Sequence, residues 1–202
     1  MRLRDFAAVV FVGLLAGCND GETSRLNNPN TPYLAATGSG NTTPPGTSGY
    51  DPISYWDGDG VAGSPAVSIY LAEERAYFYK GGQLVGVSQI SAGREGHDTP
   101  PGNYKIMQKD INHASSLYGD YVDPAGNTVQ KDVELGKDPK PPGSLFKGAP
   151  MPYFMRITGG VGMHEGYLPG YPASHGCIRM PGKMAQIFFS NVELGTPVTV
   201  YK

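Results

Sequence analysis

The chain has 202 residues, with 16 Lys and Arg against 18 Asp and Glu and a formal net charge of −2 at pH 7. That near balance, with no basic stripe along the sequence, removes the electrostatic case for a nucleic-acid partner. The 29 Gly and 18 Pro are high for a helical protein and suit a turn-rich β fold. The length suits one domain of ordinary size with an appendage.

The first segment reads as an export signal. Arg2 and Arg4 supply positive charge, and Phe6 to Leu15 is an apolar run too short to span a bilayer. The run ends in Leu15-Ala16-Gly17-Cys18, followed by polar Asn19-Asp20-Gly21. This resembles the lipobox of bacterial lipoproteins; the plainer alternative is a secretory signal that happens to contain a cysteine. The resemblance implies that residues 1–18 are a signal, that the mature protein begins at Cys18, and that Cys18 carries a lipid anchor. The protein is then expected on a membrane facing the cell wall, and in a bacterium with two membranes on the outer one, facing the periplasm. Residues 19–63 follow as a Gly-, Pro- and Asn-rich tether and lead-in, with too few apolar groups to order much of it. Its last part, from Tyr50, holds the only Trp and is read as an irregular lead-in whose aromatics pack on the domain edge.

The ordered domain is expected over 64–202. Val67 to Leu71 alternates as a strand, and Arg75–Lys80 with Gln83–Ile90 reads as a hairpin around Gly81-Gly82. Ser91 to Gly102 is a loop ending in Thr99-Pro100-Pro101-Gly102, and Asn103 to Gln108 a further strand. Residues 109–150 are polar and rich in Gly and Pro. They read as a loop insertion with a small hairpin around Pro124-Ala125-Gly126-Asn127, either a wall of a binding groove or a decorated connection. Met151–Thr158 and Val161–Met163 are strands. Pro181 opens one helix with Met184, Ala185, Ile187 and Phe188 on its apolar face, and Thr196–Tyr201 closes the domain. Short strands with one or two short helices predict a mainly β, sandwich-like fold.

The chemistry concentrates in Met163 to Met180, which holds His164, His175 and Cys177. If Cys18 is acylated, Cys177 has no partner, and an unpaired thiol in an oxidising compartment is a liability unless it is used. The thiolate is the nucleophilic form, and an imidazole within reach can take the thiol proton. Successive amides through His175, Gly176 and Cys177 offer donors to an oxyanion if they converge. Residue chemistry alone does not choose between His164 and His175 as base, since in an extended segment His175 and Cys177 share a side.

The Ser174-His175-Gly176-Cys177-Ile178-Arg179 run, the upstream His164 and the Thr99-Pro100-Pro101-Gly102 turn together resemble the YkuD-type L,D-transpeptidases. The resemblance covers about Ser64 to Lys202. It implies a β-sandwich-like catalytic domain without a cofactor, acting as a monomer on peptidoglycan stem peptides. It implies Cys177 as nucleophile, His164 as base, and the backbone of His175 and Gly176 at the oxyanion. Arg179 then orients substrate, with Ser174 beside it on the substrate side as a loop-shaping hydroxyl rather than a nucleophile. His175 becomes a loop-fixing residue bonded to the backbone. The segment Glu165 to Ala173 is short for the family, which predicts a reduced flap over the site. Glu165 is read as an exposed salt-bridging residue rather than a carboxylate that orients the imidazole.

Three rival readings accompany this one. The same thioester resolved by water gives an L,D-carboxypeptidase or a related hydrolase. A zinc module would use His164, His175 and Cys177 with His97 or His113, though a second cysteine is lacking there. A wall-binding protein with a dead site is the third. His97 and His113 are read as surface histidines, and Arg94 and Tyr153 as groove residues.

Overall fold

The computed structural model describes residues 53–202. The signal, the lipobox with Cys18 and the tether up to residue 52 lie outside the described residues. A six-stranded sheet carries most of the fold. Its strands are β1 (Tyr55–Trp56), β2 (Pro65–Tyr70), β3 (Arg75–Lys80), β4 (Gln83–Gln89), β5 (Gly102–Lys105) and the last strand of the chain (Pro197–Tyr201). That last strand lies between β2, which it meets in parallel, and β5, which it meets antiparallel. The hairpin of β3 and β4 turns through Gly81 and Gly82 at φ 57° and 84°, a left-handed pair that matches strand twist without a Cβ penalty.

The lead-in contributes more than an edge contact. Tyr55 and Trp56 pair with Val87 and Gly86 of β4, and Trp56 is buried edge-on against Phe78. The ordered domain therefore includes residues before Ser64. The expected strand over Asn103 to Gln108 is two strands in two sheets: β5, and β6 (Gln108–Asp110). The chain crosses between them at Ile106 and Met107, whose amides donate to Thr196 and Arg156 respectively.

The second sheet has four strands, ordered β12 (Ile178–Met180), β11 (Val161–Glu165), β10 (Phe154–Thr158) and β6. Its period-2 alternation gives it two unlike faces. Met155, Ile157, Met163, Ile178 and Met180 point into the main core, all essentially without exposure. There they meet helix α1 (Gly182–Asn191), whose Met184, Ala185 and Phe188 are buried and whose Phe188 packs edge-on against Phe78 at 5.0 Å. The alternate residues Phe154, Arg156, Gly162, His164 and Arg179 turn to the other face, and Cys177, one residue before Ile178, joins them.

The insertion is a third sheet, not a loop. It comprises β7 (Ala114–Val122), β8 (Thr128–Glu134) and β9 (Leu145–Pro150), in the order β8-β7-β9. The expected hairpin is present, pairing Tyr121 with Gln130 and Val122 with Thr128. Tyr121 and Val133 are buried within it, apart from the main core. Its root is fixed by the Met151 amide donating to the His113 carbonyl at 2.8 Å.

Candidate active site

The polar face of the four-stranded sheet and the inner side of the insertion enclose a cleft of about 880 Å³. His164, Cys177, Arg179 and Arg156 line it from the sheet, and Tyr118, Asp120, Asp132 and Lys147 from the insertion. The groove-wall alternative for residues 109–150 is therefore the one the structure adopts. The segment after His164 lines the cleft as well, through Glu165, Gly166 and Tyr167.

Strands β11 and β12 are parallel, with His164 opposite Arg179 and Met163 opposite Ile178. Cys177 stands one residue before β12, on the His164 side, so the two side chains are diagonal neighbours on one face. The thiol donates to the Gly160 carbonyl at 3.5 Å. Burial pushes its pKa up, opposed by the Gly162 amide and by the charges of Arg179 and Arg156. His164 is 6% exposed, and burial pushes its pKa down to about 4. Its Nδ1–H donates to the Glu165 carbonyl at 2.6 Å, which leaves Nε2 as the basic nitrogen. Both shifts favour the neutral forms, a thiol and an uncharged imidazole, over an ion pair.

The carboxylate of Glu165 does not face the imidazole. It lies against Gly182, the first residue of α1, where an added Cβ would come within 2.9 Å of it. Pro181 gives that helix no side-chain cap, and its first turn carries no acid of its own. The half-buried Glu165 side chain supplies negative charge at this N-terminus, in place of the exposed salt bridge expected for it.

His175 is held differently from the expectation. The Arg94 guanidinium donates to its Nε2 at 2.7 Å. Its ring stacks on Tyr118 of the insertion at 4.1 Å and meets the edge of His97 at 4.9 Å. It is therefore fixed by side chains rather than by a backbone bond, and its basic nitrogen is already occupied. His97 is part of this cluster rather than a free surface histidine. Tyr153, expected in the groove, packs on Phe189 instead.

Ser174 is 1% exposed and lies along the cleft beside Cys177. Its hydroxyl donates to the Cys177 carbonyl and accepts the Gly176 amide. That second bond takes up the Gly176 N–H, so what Gly176 offers the loop is its φ of 106°, a conformation a side chain rarely adopts. The Gly176 carbonyl accepts from the buried Thr99 hydroxyl at 2.8 Å, and the same hydroxyl accepts the Gly93 amide at 2.9 Å. Gly166 lets the Arg179 stem pass, since a Cβ there would sit 2.9 Å from the Arg179 Cγ.

Sequence reasoning missed two contacts that hold this site, the Glu165 carbonyl on His164 and Arg94 on His175, and it reads His113, which lines the cleft, as a surface histidine. A main-chain carbonyl has no sequence signature, and Arg94 meets His175 only through the fold. Among the described residues no group of three or more His, Cys, Asp or Glu is placed to hold a metal ion.

Residues 64–200 match the YkuD family, the L,D-transpeptidase catalytic domain. The chain belongs to that family, whose members are L,D-transpeptidases acting on peptidoglycan stem peptides. Solved structures agree on the fold. The L,D-transpeptidase (Yku) from Stackebrandtia nassauensis is 19% identical over 69% of this chain and 56% of its own, with a TM-score of 0.50. The L,D-transpeptidase from Mycobacterium smegmatis is 18% identical over 69% of this chain and 59% of its own, at 0.51. The enzyme from Xylanimonas cellulosilytica is 21% identical over 75% and 65%, at 0.50. This chain thus spans between about half and two thirds of these three solved chains. A search of curated proteins found no match.

Proposed function

We propose that the chain is a cysteine-dependent L,D-transpeptidase of peptidoglycan tetrapeptide stems. The observation that carries the reading is the placement of Cys177, His164 and Arg179 on one sheet face at the floor of the cleft. Cys177 attacks the carbonyl of the bond between the L-centre of meso-diaminopimelate and D-alanine, while His164 Nε2 takes the thiol proton. The amides of His175 and Cys177 are the donors proposed for the oxyanion. D-Alanine leaves with the proton from His164, and a thioester remains on Cys177. An amine, from the diaminopimelate side chain of a second stem or from a protein, then resolves the thioester. Arg179 binds a stem carboxylate through its planar fork. His175, with its lone pair committed to Arg94, holds the loop rather than the proton.

The same reading makes the protein a monomer, exported and held to a membrane by a lipid on Cys18, with the outer membrane as its place in a two-membrane cell. Membrane fractionation and mass of wild type against Cys18→Ala test the anchor: an unchanged mass removes it.

The enzymatic reading is tested with protein lacking the first 18 residues and with its Cys177→Ala variant, each incubated with disaccharide-tetrapeptide muropeptides. Dimers formed with loss of one D-Ala, absent from the variant, are the expected products by mass spectrometry. Tripeptide monomers alone would move the assignment to an L,D-carboxypeptidase. Release of D-Ala by both proteins would remove Cys177 as nucleophile.

A further inference from the structure

Of the three imidazoles in the cleft, the mechanism above gives no role to that of His113. His113 lines the same cleft as Cys177 and His164. Its Nδ1 lies 3.1 Å from Asp110 Oδ2, and the other oxygen of that carboxylate accepts the Asn112 amide at 3.1 Å. A nitrogen facing a carboxylate carries the hydrogen, so Nε2 is the basic atom of the ring. The ring is fixed flat against Phe154, with centroids 4.1 Å apart at 15°, and Phe154 in turn neighbours the His164 ring at 6.3 Å. A carboxylate-backed imidazole, locked by stacking beside the reaction centre, has the form of a general base.

Proton stoichiometry gives it a task. An aliphatic amine acceptor is an ammonium ion at neutral pH. Its reaction with the thioester yields an amide, the Cys177 thiol and one free proton. Two protons leave the nitrogen. The one lost as the tetrahedral adduct collapses passes through His164 to the departing sulfur, which restores the thiol and the neutral imidazole. The other must be removed before the nitrogen can attack at all, and it ends in solvent.

We propose that His113, backed by Asp110, is the base that takes this first proton from the acceptor ammonium and releases it to water. The proposal rests on the transpeptidase reading above. It separates the two half-reactions, because acylation of Cys177 involves no ammonium. It also separates acceptors, because an amine that is already neutral has no such proton to lose.

The test compares wild type, His113→Gln and Asp110→Asn with a tetrapeptide donor, following D-Ala release and acyl transfer to two acceptors at pH 7. One acceptor is a diaminopimelate-bearing muropeptide, ionised at its amine; the other is methoxyamine, which is neutral there. In His113→Gln the expected result is about a hundredfold loss of transfer to the muropeptide, with the single-turnover release of one D-Ala per Cys177 and transfer to methoxyamine within about threefold of wild type. Asp110→Asn is expected to show the same selectivity at smaller size. Equal losses for both acceptors, or no loss for the muropeptide, would overturn the proposal. If His113→Gln does not fold, the acceptor ratio of Asp110→Asn decides by the same criterion. Absence of Cys177-dependent D-Ala release in wild type would instead remove the underlying transpeptidase reading.

Discussion

The main-chain carbonyl of Glu165 accepts the Nδ1–H of His164 at 2.6 Å, while the side chain of the same residue sits against the first residue of α1. One residue thus sets the tautomer of the imidazole with its backbone and anchors that backbone with its carboxylate. The carbonyl survives any substitution of the side chain; the anchor does not. Glu165→Gln is expected to lower stability by about 0.5–1 kcal/mol, the usual worth of a charge at a helix N-terminus. Transfer activity should stay within about threefold of wild type. Thermal melts and a muropeptide assay check both parts, and a hundredfold loss of activity would mean that the carboxylate acts on the imidazole directly.

Burial holds the His164 pKa near 4, below the 6.5 of the free side chain. A histidine with a depressed folded pKa leaves the unfolded state binding more protons between those two values. Its contribution to stability is full above about pH 6.5, falls as pH drops through the window, and levels off below about pH 4. Between pH 7.5 and 4.5 the loss from this group is about 2–3 kcal/mol. Urea denaturation of wild type and His164→Gln at the two pH values should show the wild type losing that much more than the variant. Equal losses would mean that His164 is not held neutral by burial.

The Cys177 thiol, pushed up by burial, should be protonated at neutral pH. The difference in absorbance at 240 nm between wild type and Cys177→Ala is expected to be absent at pH 7 and to appear only above the ordinary thiol range. Arg179→Gln removes one of the charges that favour the thiolate and should move that appearance higher still. A thiolate band at pH 7 would indicate a resting ion pair with His164.

The Thr99 hydroxyl joins the Gly93 amide to the Gly176 carbonyl in a buried position. Thr99→Val keeps the shape and leaves two buried groups without partners, a loss of about 1–3 kcal/mol. Because one of those groups belongs to the loop that presents Cys177, the acylation rate should fall about tenfold or more. Thr99→Ser should restore most of both, as read by melting temperature and D-Ala release. A Val variant with lowered stability and unchanged acylation would confine Thr99 to the fold.

The parts of this molecule legible in its sequence are those written in local pattern. The Gly81-Gly82 hairpin, the apolar face of α1 and the alternation in β2 and β10 each declare themselves within a few residues. The Met163 to Met180 stretch is legible because its chemistry-bearing residues are close in the chain as well as in the cleft. The insertion reads as a loop because its strands are polar: β8 runs Thr-Val-Gln-Lys-Asp-Val-Glu, with only Val133 buried, so periodicity is too weak to see. His113 reads as a surface residue because nothing local marks Phe154 as the ring it stacks on. Trp56 falls in the lead-in because a strand of two residues leaves no alternation to detect.

The last strand, Pro197–Tyr201, sits inside the six-stranded sheet rather than at its margin. Until these residues are available, β2 and β5 cannot be joined, and each presents an open row of backbone donors and acceptors. A chain growing from its N-terminus therefore cannot complete this sheet until residue 201 has been made. Helix α1 and β12, which position Cys177, immediately precede that strand in the chain. The thiol is consequently assembled into its cleft only once that strand is made, and a nascent chain stalled short of that point carries an unsealed sheet.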